Sequence, residues 1–293
     1  MTTVREALAD VESRLFDSGL ASPQANARIL LTHTLGVGPG LLALHLDDAI
    51  DEEALRNLDE MTERRVAGEP LQYITGSAPF RYLELETAPG VFIPRPETEM
   101  VVQAALDRVA EVEEPRVLDL CCGSGTIAIS IACELSDAQV TAIDMSPDAV
   151  ALATRNAEAS GVIDRVRILE GNLFGALDAD ADGTPDDGDG FFDLVVSNPP
   201  YIPTAKLVAM PGEIVDWEPM RALDGGEDGL DVFREIVAGL AGFLRRGGWF
   251  VCELDEDMVD EAVRQLGEDG RFEDIAAIDD LAGRPRAVAA RLR

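Results

Sequence analysis

The residues best suited to chemistry are Asn198-Pro199-Pro200-Tyr201. They follow Phe192-Asp193-Leu194-Val195-Val196, an aromatic and β-branched run that predicts a buried strand, so Asn198 is expected at a strand's carboxyl end. Open α/β sheets bind their ligands at that end. Two consecutive prolines lack N–H groups and fix φ, which leaves the carbonyls of Asn198 and Pro199 as rigid acceptors without backbone donors from Pro199 or Pro200. A carboxamide oxygen beside such a carbonyl can accept both hydrogens of a planar NH2 group, and the Tyr201 ring can pack flat against it. The pattern suits an amide or exocyclic amine held by its two hydrogens, with its nitrogen turned toward an electrophile. A plain turn after a strand explains Asn-Pro-Pro equally well when the tetrapeptide is taken by itself.

A second constellation narrows the choice. Val117-Leu118-Asp119-Leu120 predicts a strand, and Cys121-Cys122-Gly123-Ser124-Gly125 a tight turn into a helix over 126–135. Gly123 and Gly125 permit close approach of a ligand to the backbone, and the new helix offers free N–H groups. The next predicted strand, 139–143, ends in Asp144, nineteen residues after Gly125, where an acid takes ribose hydroxyls. An ordinary helix cap before Met145-Ser146-Pro147 is the structural alternative. After a third strand, Val166-Arg167-Ile168-Leu169, Asn172 is placed to hydrogen-bond an adenine edge and Leu173 to cover its face, with a solvated turn as the competing account. Arg95 and Glu97 either face a ligand or, as the preferred expectation, pair with each other at a helix start.

These residues need elements to position them. From residue 3 to about 68 the text is helical: Val4, Leu8, Val11 and Leu15 recur at helical spacing, Ser22-Pro23 predicts an N-cap with a first-turn proline, and Asp51-Glu52-Glu53 places acids at a third helix start. His33 and His45 stand alone there, and the unit either docks a substrate or simply packs. Pro70, Gly76, Pro79, Pro89-Gly90, Pro94 and Pro96 mark a linker with a hairpin. Its expected strands are Phe80 to Leu85 and Val91-Phe92-Ile93, turning at Pro89-Gly90; Thr98 or Glu97 then opens a helix over 100–109. From Arg116 strands and helices alternate, the mark of a parallel sheet with crossover helices. Further helices are expected over 147–160 and 231–244, and further strands over 248–254, 272–278 and 287–292, the last two antiparallel. The resulting organisation is a helical domain over 1–70, a hairpin linker over 71–96 and an α/β domain over 97–293.

Composition sets the surroundings. The 293 residues carry 56 acids against 24 Lys and Arg, a net charge of −32, and Lys206 is the only lysine. Acidic, lysine-poor surfaces suit a cytoplasm of high salt, so a halophilic source is expected. The same charge disfavours contact with phosphate backbones, although salt adaptation weakens that inference, and no direct nucleic-acid substrate is expected. No apolar run approaches membrane-spanning length and Met1-Thr2-Thr3-Val4-Arg5-Glu6 has no signal-peptide pattern, so a soluble, cytoplasmic protein is expected. Cys121, Cys122, Cys133 and Cys252 fit neither a disulfide framework nor a zinc spacing. The run 178–190, rich in Asp, Gly and Ala, reads as a flexible acidic loop; it lacks the closing glutamate of a calcium loop, and no metal is expected.

Together these motifs resemble the class I S-adenosylmethionine-dependent methyltransferases, and within them the release-factor glutamine methyltransferases. The resemblance spans almost the whole chain. It rests on Gly68-Glu69-Pro70 with Thr75-Gly76, Phe92-Ile93-Pro94-Arg95-Pro96-Glu97-Thr98-Glu99, Asp119-Leu120 with the glycine turn, Asn198-Pro199-Pro200-Tyr201, Glu218-Pro219 with Ala222-Leu223, and Asp280-Leu281-Ala282-Gly283-Arg284. It implies a Rossmann-like class I methyltransferase fold with a seven-stranded, mostly parallel sheet behind a small N-terminal helical bundle. It also implies N5-methylation of the glutamine in a release factor's Gly-Gly-Gln loop. By position, S-adenosyl-L-methionine would be held by Cys121, Cys122, Gly123, Ser124, Gly125, Asp144, Asn172, Leu173 and Asn198. The target amide would lie on Asn198, Pro199, Pro200 and Tyr201, with Arg95 nearby. Cys121 stands where the family usually has glycine, and Asn172 where it has an acid; both bear on cofactor affinity. A glutamine methyltransferase acting on a ribosomal protein, an adenine methyltransferase acting on nucleic acid and a noncatalytic module retaining the fold remain as alternatives.

Overall fold

The computed structural model describes residues 2–177 and 191–293, so the acidic run 178–190 lies outside it. The chain divides into two compact units, Met1–Ser77 with Pro211–Trp217, and Ala78–Met210 with Glu218–Arg293.

The first unit is helical. Helix α1 (Val4–Asp17) starts on a reciprocal cap: the Thr3 hydroxyl accepts from the Glu6 N–H, and the Glu6 carboxylate accepts from the Thr3 N–H at 2.8 Å. Its buried face is Val4, Ala7, Val11 and Leu15. Helix α2 (Pro23–Leu35) departs from expectation at its start, because Ser22 sits at φ +53° and its side chain caps nothing. Asn26 braces the entry without capping it, its amide donating to the carbonyls of Ala21 and Ser22. Helix α3 (Glu52–Val66) is capped by Asp51, which accepts from the Ala54 N–H at 2.8 Å. Its buried Arg65 reaches Asn26 Oδ1 at 2.7 Å, the Glu69 carbonyl at 2.8 Å and Glu213 at 2.9 Å. That one guanidinium ties α2, α3 and the returning stretch Pro211–Trp217 together. The unit runs past residue 70 through a short helix, α4 (Leu71–Thr75).

The hairpin occurs one segment earlier than the proline pattern implied. It comprises β1 (Ser77–Phe80) and β2 (Leu83–Glu86), and turns at Arg81, held at φ +50°. Arg81 is fixed there by its N–H to Glu99 and its guanidinium to Glu134 and Gln103. Val91-Phe92-Ile93, expected as a strand, is irregular, and the Ile93 N–H goes to the Glu218 carboxylate instead of a ladder partner.

The second unit then alternates: α5 (Thr98–Val109), β3 (Arg116–Leu120), α6 (Thr126–Glu134), β4 (Gln139–Asp144), α7 (Pro147–Ala159), β5 (Val166–Glu170) and β6 (Phe192–Ser197). After β6 come two single-turn helices, α8 (Thr204–Leu207) and α9 (Gly212–Val215), then α10 (Asp231–Gly239), β7 (Leu244–Glu253), α11 (Val259–Asp269), β8 (Phe272–Asp279) and β9 (Pro285–Leu292). The seven strands lie in the order β5-β4-β3-β6-β7-β9-β8. Pairing is parallel from β5 through β7, and β9 runs antiparallel to both β7 and β8. Helix α10 ends at Gly239, five residues before the expected end, and β7 begins at Leu244. The cause is tertiary: the Phe243 carbonyl accepts from the N–H groups of both Phe191 and Phe192, which draws the chain into the sheet early.

One apolar cluster, with α5, α6 and α7, covers one face of the sheet, and another, with α10 and α11, covers the opposite face. Strand β6 is buried along its whole length. The chain runs outward from β3 to β5 and returns to the other side of β3 as β6, so the carboxyl ends of β3 and β6 meet at the point where strand order reverses.

Candidate functional site

A cleft of about 410 Å³ opens at that reversal, within the range of small-molecule sites. Its walls include Cys121 to Ser124, Asp144, Asn172, Leu173, Asn198 to Tyr201 and Arg95. Gly125 is absent from the wall. At φ +83°, it sits where a Cβ would come within 2.8 Å of Ile129 and 3.2 Å of Ala153, so its service is close packing of α6 against α7.

Cys121 adopts φ +61°, a conformation in which glycine is at ease and a side chain is strained. Burial pushes its thiol well above the ordinary range, with Asp144 adding to the effect, so it is not a ready nucleophile. The turn is braced from behind: Asn156 on α7 donates to the Ser124 carbonyl at 3.0 Å and to the Glu86 carbonyl at 3.1 Å. Asp119, fully buried at the end of β3, accepts from the Ala128 N–H in the first turn of α6. Its other oxygen has no partner, and burial pushes its carboxyl up to about 8.

Asp144 is not the helix cap, since Ser146 caps α7. One Asp144 oxygen accepts from Gly123 N–H and the other from Ser146 N–H, both at 2.9 Å. Each keeps lone-pair capacity toward the cleft, which is what two ribose hydroxyls require. Leu173 is buried beside the apolar Ile143 and Met145 in the same wall, whereas Asn172 is exposed and its amide makes a 3.5 Å contact with Glu235. An adenosine-sized group with an amino-acid tail therefore fits the donors, acceptors and apolar wall present.

The tetrapeptide forms the other side. Behind it runs the loop 223–229: the Ile202 N–H donates to the Leu223 carbonyl and the Gly225 N–H to the Ile202 carbonyl, at 2.9 and 2.8 Å. A Cβ on Gly225 would lie 2.7 Å from Tyr201 Cα and 2.8 Å from the Pro200 carbonyl. The Asn198 amide nitrogen donates to Thr98 Oγ1 at 3.2 Å. Thr98 interacts with the buried Glu253 carboxyl, which also receives the Tyr201 hydroxyl at 3.5 Å. Burial pushes Glu253 up to about 7 against the opposing pull of Thr98. Burial, with Glu253 adding to it, likewise pushes the Tyr201 hydroxyl well up.

Arg95 lines the cleft but does not pair with Glu97. It bonds the buried Glu218 carboxylate, and its guanidinium lies 4.8 Å from the Phe92 ring centre. Glu218 thus gathers both Arg95 and the Ile93 N–H, which explains why Glu218-Pro219 and the proline-rich segment occur together. Residues that sequence reasoning left out of the site are Thr98, Arg221 and Glu253. Arg221 crosses to the Ser146 hydroxyl at 2.8 Å. Thr98 carries only the signal of a helix opener, and Glu253 ends an apolar strand whose sequence gives no sign of a site. Among the described residues no group of His, Cys, Asp and Glu is arranged to hold a metal ion.

Residues 6–76 match the model of the PrmC N-terminal domain, and residues 82–210 that of the methyltransferase small domain. A release factor glutamine methyltransferase of Geobacter sulfurreducens is 39% identical over 290 residues, covering 99% of this chain and 97% of its own. One from Streptomyces coelicolor is 41% identical over 286 residues, covering 97% and 96%. Among solved structures, the N-terminal domain of human METTL16 in complex with SAH aligns with a TM-score of 0.51 at 14% identity over 83% of each chain, a likeness of fold alone.

Proposed function

The chain belongs to the release factor glutamine methyltransferase family, and from that premise we propose that it transfers a methyl group from S-adenosyl-L-methionine to the side-chain amide nitrogen, N5, of the glutamine in a release factor's Gly-Gly-Gln loop. The observation that carries the reading is the Asn198 side chain. With its NH2 engaged by Thr98, its Oδ1 is the atom left to accept from a guest in the same cleft as Asp144 and the glycine turn.

S-adenosyl-L-methionine supplies, when bound, a methyl group on positively charged sulfur. Cys121, Cys122, Gly123 and Ser124 would form the turn beside it, Asp144 would hold its ribose and Leu173 would cover its base. Asn172, exposed and turned to Glu235, has at most an edge contact. The rest of the chemistry belongs to the tetrapeptide. A carboxamide nitrogen is a poor nucleophile because its lone pair is delocalised. Acceptance of its two N–H bonds by Asn198 Oδ1 and the Pro199 carbonyl favours the positive charge that develops on nitrogen and fixes the direction of attack. The Tyr201 ring offers a flat wall. The alkylated nitrogen then sheds a proton readily, so no general base need act first.

The helical unit serves as the release factor's docking domain, and the enzyme works in the cytoplasm; no helix among the described residues is long and apolar enough to cross a membrane. The tetrapeptide would hold an adenine's exocyclic amine, or a ribosomal protein's glutamine, by the same two hydrogens; what favours the release factor is the family to which the chain belongs. The test is incubation with methyl-labelled cofactor and the release factor of the same organism, beside a release factor whose tripeptide glutamine is alanine. Label in the first alone is expected; equal label in both would overturn the reading.

A further inference from the structure

An asparagine side chain has two nearly isosteric flip states, and only one serves an amide substrate. With Oδ1 outward it accepts a hydrogen from the substrate, while with NH2 outward it presents donors to donors. The backbone at Asn198 does not choose between them. The choice falls to whatever lies behind the side chain, and that is Thr98 Oγ1, 3.2 Å from the Asn198 amide nitrogen. A threonine hydroxyl can donate one hydrogen and accept others, so by itself it would tolerate either flip.

Glu253 removes that tolerance. It ends β7, is 2% exposed, and one of its oxygens has no bond of its own. When ionised, as it is above about pH 7, the carboxylate only accepts, so a Thr98 hydroxyl hydrogen directed to it leaves the hydroxyl's lone pairs facing Asn198. Tyr201, next along the tetrapeptide, donates to the same carboxyl group. Glu97 and Arg286 are the other charged groups that bear on Glu253, one opposing its charge and one favouring it. We propose that Thr98 and Glu253 are positioning residues that lock the Asn198 carboxamide with Oδ1 toward the substrate; the proposal rests on the amide-methylating reading above. The device spans three elements, the start of α5, the end of β7 and the loop after β6. It accounts for a buried carboxyl group that the reaction itself does not consume.

The test is single-turnover methyl transfer to the intact release factor by wild type, Thr98→Val, Thr98→Ala, Thr98→Ser, Asn198→Ala and the double variant Asn198→Ala/Thr98→Val, with cofactor affinity measured for each. Thr98→Val and Thr98→Ala are expected to slow transfer by about tenfold or more, while the KM for release factor and the affinity for S-adenosyl-L-methionine stay within about twofold. Thr98→Ser restores most of the rate. The double variant is no slower than Asn198→Ala alone, because the two residues act through one interaction. A Thr98→Val enzyme as fast as wild type, or a double variant whose losses multiply, overturns the proposal while wild-type activity leaves the substrate reading standing. Absence of transfer by the cofactor-bound wild type overturns both.

Discussion

At the scale of single residues, two buried carboxyl groups are costly to ionise. Asp119 and Glu253 are pushed up to about 8 and about 7, in each case chiefly by burial. A raised value means that the folded protein retains a proton which the unfolded chain has released. Their contribution to stability is therefore complete below the ordinary carboxyl range and is lost as pH rises toward about 7 for Glu253 and about 8 for Asp119. Glu253→Gln, which cannot ionise, is expected to show a smaller fall in melting temperature than wild type between about pH 5 and pH 8. Parallel curves for the two proteins would show that Glu253 carries no such strain. The pair also marks the limit of sequence reading at this scale. The Asn198 tetrapeptide, the glycine turn and Asp144 announce themselves by type and spacing, whereas Glu253 and Thr98 become part of the site only because folding brings residues far apart in the chain to one point.

At the scale of elements, the glycine-rich loop is the part of the site whose role the sequence conceals. The stretch 225–230 has the composition of a loop leading into a helix, yet Gly225 packs against the back of Pro200 and Tyr201. Gly225→Ala is expected to destabilise the protein by about 1–3 kcal/mol, as overpacking does, and to slow methyl transfer by displacing the tetrapeptide. Cofactor affinity should change little, and turnover equal to wild type would show that the loop does not position the tetrapeptide. The alternating strands and helices were legible from Arg116 onward because parallel strands buried on both faces read as continuous apolar runs. Two boundaries were not. The hairpin turns at Arg81 through its ties to Glu99 and Glu134, against the pull of Pro89-Gly90 as a turn signal, and α10 yields to β7 because Phe243 pairs with Phe191 and Phe192. In both places tertiary partners overrode local preference.

At the scale of the whole molecule, the first unit is not contiguous in sequence. It takes in Pro211–Trp217, which the chain supplies between the tetrapeptide and Glu218, and Arg65 bonds Glu213 within it. This return was not legible in the sequence, because no periodicity marks seven residues. The net charge of −32 belongs to the molecule as a whole and predicts salt dependence. The melting temperature is expected to climb steeply from dilute buffer to molar KCl as self-repulsion is screened. Full stability in dilute buffer would remove the case for a halophilic source.

The account stands or falls on the Asn198 carboxamide. The most direct measurement is the single-turnover rate of methyl transfer to the native release factor by Asn198→Ala, alongside its affinity for S-adenosyl-L-methionine. A rate lowered by at least about a hundredfold with cofactor binding largely kept is the predicted result, on the scale of losing one preorganised electrostatic group. A rate near that of wild type would contradict it.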